Sequence, residues 1–196
     1  LKRIQDYQPE IDTSHPMFGH LQDLLDLPEP VTNQNVDALS ELVAARYPSE
    51  AAGMKSSSRM TIAPTMIKGG VKSNSIAESV TIVCDIRSMP HQDTGNVQGE
   101  LARLLDGLHD VSWELIRTAV SNASPADHPF ASAVRRATAK AIGRDDFLWA
   151  PGLTCGFTDS RLVRPLGAIA YGFAPAHPDA DPNLYGAHNK NESQDI

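Results

Sequence analysis

The chain has 196 residues, enough for one ordinary domain or two small ones, with 41% hydrophobic and 21% charged residues, which excludes a disordered polymer. Its 17 basic and 24 acidic residues give a net charge of −7, which argues against broad nucleic-acid binding, and no apolar run approaches the roughly 20 residues of a membrane helix. The two cysteines, Cys84 and Cys155, exclude a disulfide framework and lead us to expect a cytoplasmic protein.

In chain order, Leu1 and Ile4 suggest the tail of a helix, ended by Pro9. Pro16, Gly19, Pro28 and Pro30 predict a loop, interrupted by one short helix on Leu21, Leu24 and Leu25. A clearer helix is predicted over residues 34–47, with Val36, Leu39, Leu42 and Val43 as its apolar stripe and Thr32 or Asn33 as cap. Residues 49–59 are small and polar and read as an exposed connection.

Residues 60–67 and 80–86 are two strand candidates, joined by a turn-rich stretch from Gly69-Gly70 to Ile76. In the second strand Ile82, Cys84 and Ile86 point one way, and Thr81, Val83, Asp85 and Arg87 the other. A helix carrying Val97, Leu101, Leu104, Leu105 and Leu108 follows, capped by Asp93 or Thr94, and residues 111–120 predict a further strand. Helix, strand, strand, helix, strand is most of a two-layer α+β sandwich, short of one strand at the front.

The character of the chain changes near residues 121–129. A helix carrying Phe130, Val134, Ala137 and Ile142 is expected, started by Asp127 or Ser124 and stopped by Gly143. Two apolar runs follow, 147–150 and 166–173. The second lacks polar alternation and predicts a strand buried on both faces, as in an α/β sheet. The expected organisation is therefore one domain over residues 1–121 and a second, incomplete one over 122–196. Leu1 as the first residue, and residues 191–196 reading as a helix that never continues, lead us to expect a piece of a longer chain without a signal peptide.

Several chemical motifs fail. Gly70-Val71-Lys72-Ser73 lacks the Gly-Lys pair of a phosphate loop, and no G-x-S-x-G occurs. Neither cysteine sits in a nucleophile motif, and burial in strands accounts for both. The triplets His91-Gln92-Asp93 and His177-Pro178-Asp179 lie in Pro-rich loops, where chance is the better account.

Three pieces survive, each with an ordinary alternative. Gly69-Gly70, Asn74 and Asp85-Ile86-Arg87 can be a glycine turn, a turn asparagine and a solvated strand-end arginine. The run Gly156-Phe157-Thr158-Asp159-Ser160-Arg161 can be a plain N-cap or an anion site. Gly186-Ala187-His188-Asn189-Lys190-Asn191-Glu192 can carry a surface histidine or a metal ligand.

In that order and spacing, the three pieces resemble the dinuclear-zinc amidohydrolase and peptidase family that includes acetylornithine deacetylase, succinyl-diaminopimelate desuccinylase, aminoacylase and the carboxypeptidase G type enzymes. The resemblance covers residues 60–196 and is weak over 1–59. It implies a two-layer α+β lid domain that mediates dimerisation, followed by part of a zinc-binding α/β catalytic domain. It implies metal-dependent hydrolysis of an amide or peptide bond in a small N-acyl amino acid or short peptide by a homodimer. By the same match His188 is the late zinc ligand, and Asn74 reaches toward substrate, often across the dimer. Arg87 meets a substrate carboxylate, and Gly156 and Thr158 help form the pocket floor. The cofactor implied is a pair of zinc ions, with cobalt or manganese as alternatives. No nucleic-acid or membrane partner is expected.

The chemistry of these residue types agrees. Arginine holds a carboxylate with two parallel hydrogen bonds, which lysine cannot copy. Asparagine can donate to an oxyanion without changing the charge balance. The departures are equally specific: the family's early His-x-Asp ligands, bridging Asp, Glu-Glu pair and lid histidine are absent from this chain. The activity is therefore expected of a longer parent, and this segment alone should be inactive with no catalytic base. Two other classes remain: a non-catalytic dimerisation or interaction module on the lid fold, and an unrelated α+β binding domain.

Overall fold

A computed structural model of the chain describes residues 1–119, 121–154, 156 and 158–173. The core forms early in the chain. Helix α1 (Lys2–Gln5) is followed by a 3-10 turn (Pro16–His20), α2 (Leu21–Leu25), α3 (Val36–Ala44) and α4 (Pro48–Ser57). Phe18, Leu21, Leu27, Val31, Val36, Leu39, Val43, Ala51 and Met54 form one buried cluster. On α3 the spacing of Val36, Leu39 and Val43 puts all three on one face. Leu42 falls off that face and is 58% exposed, contrary to the expected stripe.

Helix α4 replaces the exposed connection expected over residues 49–59. Pro48 occupies its first turn, where the missing N–H costs nothing, and only Ala51, Met54 and Ser57 are buried. Small residues let it lie close to α3: the buried Ser40 hydroxyl donates to the Ala51 carbonyl at 2.7 Å. The expected cap of α3 is also different. Asn33 accepts from the Thr13 N–H at 2.8 Å, while Asn35 accepts from the Thr32 N–H at 2.7 Å and donates to the Pro30 carbonyl.

Strands β1 (Thr61–Gly69) and β2 (Val80–Arg87) are antiparallel neighbours, as expected, with Thr61 opposite Arg87 and Gly69 opposite Val80. A bulge between Pro64 and Met66 leaves Thr65 as the extra residue. Proline cannot donate to a ladder, so a bulge is where a strand tolerates it. The Thr65 hydroxyl donates to the Val83 carbonyl at 3.2 Å. The side chains of Arg59 and Asp37 pair at 2.8 Å and tie the start of the hairpin to α3.

Helix α5 (Thr94–Leu105) opens on the expected Asp93, in a reciprocal box with Asn96. Its C-terminal end is held by Arg3, which donates to the Leu104 carbonyl at 2.9 Å and to the Asp106 carbonyl. Beyond it, the expected strand over 111–120 is absent among residues 111–119. A strand needs a hydrogen-bonded neighbour; among the described residues β1 and β2 pair only with each other, and Ile116 remains 75% exposed.

Helix α6 (Pro129–Ile142) ends at Gly143 in the left-handed region, φ 75°, as expected. Its cap is neither Asp127 nor Ser124. His128 Nδ1 accepts from the Phe130 N–H at 3.1 Å. Helix α7 (Ser160–Val163) and a 3-10 turn (Arg164–Leu166) follow. Residues 147–150 form no strand, and the second run, 166–173, does not form the expected one. The physical reason for the second is that side chains bind its backbone. Ala170 donates to the Ser124 hydroxyl at 3.0 Å, and its carbonyl accepts from Arg164 Nη2 at 2.7 Å. Tyr171 stacks on Phe130 and donates to the Pro125 carbonyl. The described residues thus make a mixed α+β fold around a two-stranded antiparallel sheet.

Candidate functional site

The hairpin carries the residues with the clearest chemistry. Asp85 and Arg87 are two apart on β2, so both project from the same face. They form a two-pronged ion pair: Arg87 Nε donates to Asp85 Oδ1, and Nη2 donates to Oδ2 at 3.0 Å. The two side chains are 39% and 45% exposed, so Arg87 stays out of the core as the strand alternation predicts.

Asn74 lies elsewhere. It is an exposed residue of the turn that joins the strands, where Ser75 donates to the Lys72 carbonyl at 3.3 Å. Gly70 enters that turn at φ 73°, a conformation glycine adopts without strain. The register puts this turn at one end of the hairpin and Arg87 at the other. Seven strand steps at about 3.3 Å each separate the ends by roughly 23 Å. Asn74 and Arg87 of one chain therefore cannot hold the same small molecule.

Gly156 and Thr158 sit in a third place, the loop before α7, and both are exposed. Gly156 donates to the Thr154 hydroxyl at 3.1 Å, and the Thr158 hydroxyl accepts from the Ser160 N–H at 3.3 Å. The Thr158 hydroxyl thus meets the first N–H of α7, whose N-cap residue Asp159 makes no side-chain cap bond. His188, Glu192, Cys155 and the triplet His177-Pro178-Asp179 lie outside the described residues.

Titratable groups cluster elsewhere, in places the sequence does not single out. Tyr7 donates to Glu100 at 2.9 Å, tying the segment after α1 to α5, and Arg103 pairs with Glu100 at 2.7 Å within α5. Burial and the Glu100 hydrogen bond push the Tyr7 phenol up to about 12. Asp12 is held below the usual carboxylate range, chiefly by the Ser14 backbone N–H and then by its hydroxyl. His91 Nδ1 lies 3.4 Å from Asp12, and His15 accepts the Met17 N–H at 3.2 Å. Burial lowers the pKa of His15 and raises that of Cys84, which is a free thiol. The triplet His91-Gln92-Asp93 does not converge, because Asp93 is used in the α5 cap. Among the described residues no group of three or more His, Cys, Asp or Glu side chains could hold a metal ion. None of the described helices is long and apolar enough to cross a membrane.

A family model described as the peptidase dimerisation domain matches residues 12–111, about half the chain, from the start of the core to beyond α5. No curated protein and no solved structure matches the chain.

Proposed function

Because the chain belongs to the M20 peptidase dimerisation-domain family, we propose that it serves as the dimerisation lid of a metal-dependent amide hydrolase. The proposed division is a lid over residues 1–121 and the C-terminal part of a catalytic domain over 122–196, both within a longer parent chain. The substrate class is a small N-acyl amino acid or short peptide. The observation that carries this reading is the family match over the core, the hairpin and α5. A cytoplasmic location belongs to the same proposal and rests on the low cysteine content.

Within that reading Arg87 receives the substrate carboxylate, and Gly156 and Thr158 contribute to the floor beneath it. Asn74 serves the site of the partner subunit, which accounts for its place at the far end of the hairpin from Arg87. The sheet supports dimerisation: among the described residues it stops at two strands, so each keeps an open edge able to pair with another strand.

The described residues do not fit a zinc pair, since no three ligands converge. Zinc, or cobalt or manganese in its place, would be held by His188 together with ligands from the parent chain. Bound there, it would supply Lewis-acid activation of water. The residues described here bind and orient substrate.

The test is hydrolysis by the full-length protein of N-acyl amino acids and dipeptides, with and without a chelator. Cleavage abolished by chelation and restored by zinc is the expected result. The 196-residue chain alone should be inactive and bind zinc weakly. An intact dimer that cleaves nothing in the panel would replace this reading with a non-catalytic dimerisation module. One tightly held zinc per 196-residue chain, lost on His188→Ala, would overturn the view that most ligands lie in the parent chain.

A further inference from the structure

We propose that the cavity between α1, the segment after it and α5 is a binding site for a small organic carboxylate, held by Arg3 and Arg103 against the ring of Tyr7. The site is separate from Arg87 and does not rest on the substrate reading of that residue.

The cavity measures about 320 Å³ and is lined by Arg3, Asp6, Tyr7, Gln8, Arg103 and Leu104. Small-molecule sites usually span about 300–1,000 Å³, so the space suits a small ligand. The carboxylates around it are already engaged. Asp6 pairs with Lys2 at 2.6 Å, and Glu100 accepts from Tyr7 and pairs with Arg103. Three positive groups, Lys2, Arg3 and Arg103, thus face two negative ones, Asp6 and Glu100, and the surplus favours an anion.

Structural duty uses only part of each arginine. Arg3 donates to the Leu104 and Asp106 carbonyls through Nη1 alone, and its Nε–Nη2 edge makes no hydrogen bond among the described residues. Arg103 gives Nε and Nη2 to Glu100 at 3.3 and 2.7 Å, which leaves Nη1. A two-donor guanidinium edge is the geometry that grips a carboxylate, and Arg103 adds a further donor. The rest of the wall favours an organic acid over an inorganic anion. The Arg103 guanidinium carbon stands 5.9 Å from the Tyr7 ring centroid, and Leu104 adds apolar surface. The Tyr7 phenol, pushed up to about 12, stays neutral and adds no charge that would repel an anion. A ligand held there touches α1 through Arg3 and α5 through Arg103, so binding should raise the melting temperature of the lid.

The experiment is titration calorimetry of the full-length protein with sodium benzoate, with benzamide and inorganic phosphate as comparisons, beside thermal melts. Wild type, Arg3→Gln, Arg103→Gln and Arg87→Ala are compared. Saturable binding of benzoate with a rise in melting temperature is expected, and none of benzamide. Arg3→Gln and Arg103→Gln should each weaken it by about tenfold or more, the cost of a lost hydrogen bond between charged groups. Arg87→Ala should leave this binding unchanged. If Arg3→Gln loosens the end of α5 and melts early, Arg103→Gln decides alone, because that side chain is 59% exposed and its ion pair lies within one helix. Absence of saturable benzoate binding, equal binding of benzamide, or tighter binding of phosphate overturns the inference. So does benzoate binding that Arg103→Gln leaves intact or that Arg87→Ala abolishes.

Discussion

Phe18→Ala is expected to cost about 3–5 kcal/mol of folding stability, the usual range for deleting a buried aromatic ring. Phe18 is 1% exposed and joins the cluster that includes Val36 and Leu39 of α3 and Met54 of α4. It reaches the core on the 3-10 turn opened by His15, so the turn and the helix pair depend on one ring. A typical domain holds about 5–15 kcal/mol in all, so the variant should sit near the edge of folding. Ile76→Ala is the control. That side chain is 98% exposed, and its loss should change stability by no more than about 0.5 kcal/mol. Urea unfolding of both variants checks the contrast. A Phe18→Ala cost below about 1 kcal/mol would mean that this cluster is not the principal core.

Arg87→Lys in the full-length enzyme should lower kcat/KM by about ten- to a hundredfold on carboxylate-bearing substrates. Lysine keeps the charge and loses the paired geometry. One hydrogen bond to a charged group is worth about 1.5–3 kcal/mol, which converts to that factor. Folding should barely respond, because the exposed pair with Asp85 contributes at most about 1 kcal/mol. A structural arginine would give the reverse pattern: near-normal kinetics with a clear fall in melting temperature. Kinetics on free and amidated substrates, beside a thermal melt, separates the two.

Periodicity made much of this fold readable. The helices α3, α5 and α6, the two strands, the Asp93 cap and the Gly143 stop are local signals, and the chain obeys them, although Leu42 of α3 and Phe130 and Ile142 of α6 stay exposed. Helix α4 was not readable because its buried face is small: Ala51 and Met54 are its only buried apolar residues. The apolar alternation over 111–119 misleads in the other direction. Strand character needs a partner, which a sequence pattern cannot supply. Residues 166–173 mislead for the same reason, since Arg164 and Ser124 take the backbone groups a ladder would use. At the site, the exposure of Arg87 follows from strand alternation. Its pairing with Asp85 was there to find in the two-residue spacing. The distance from Asn74 to Arg87 depends on the hairpin register, which the residues at the two ends do not reveal.

The central claim, that this chain is a dimerisation lid, is tested most directly by its mass in solution. Sedimentation equilibrium of the 196-residue chain should return twice the 21.2 kDa of one copy. A single species of 21.2 kDa at every concentration measured would contradict it.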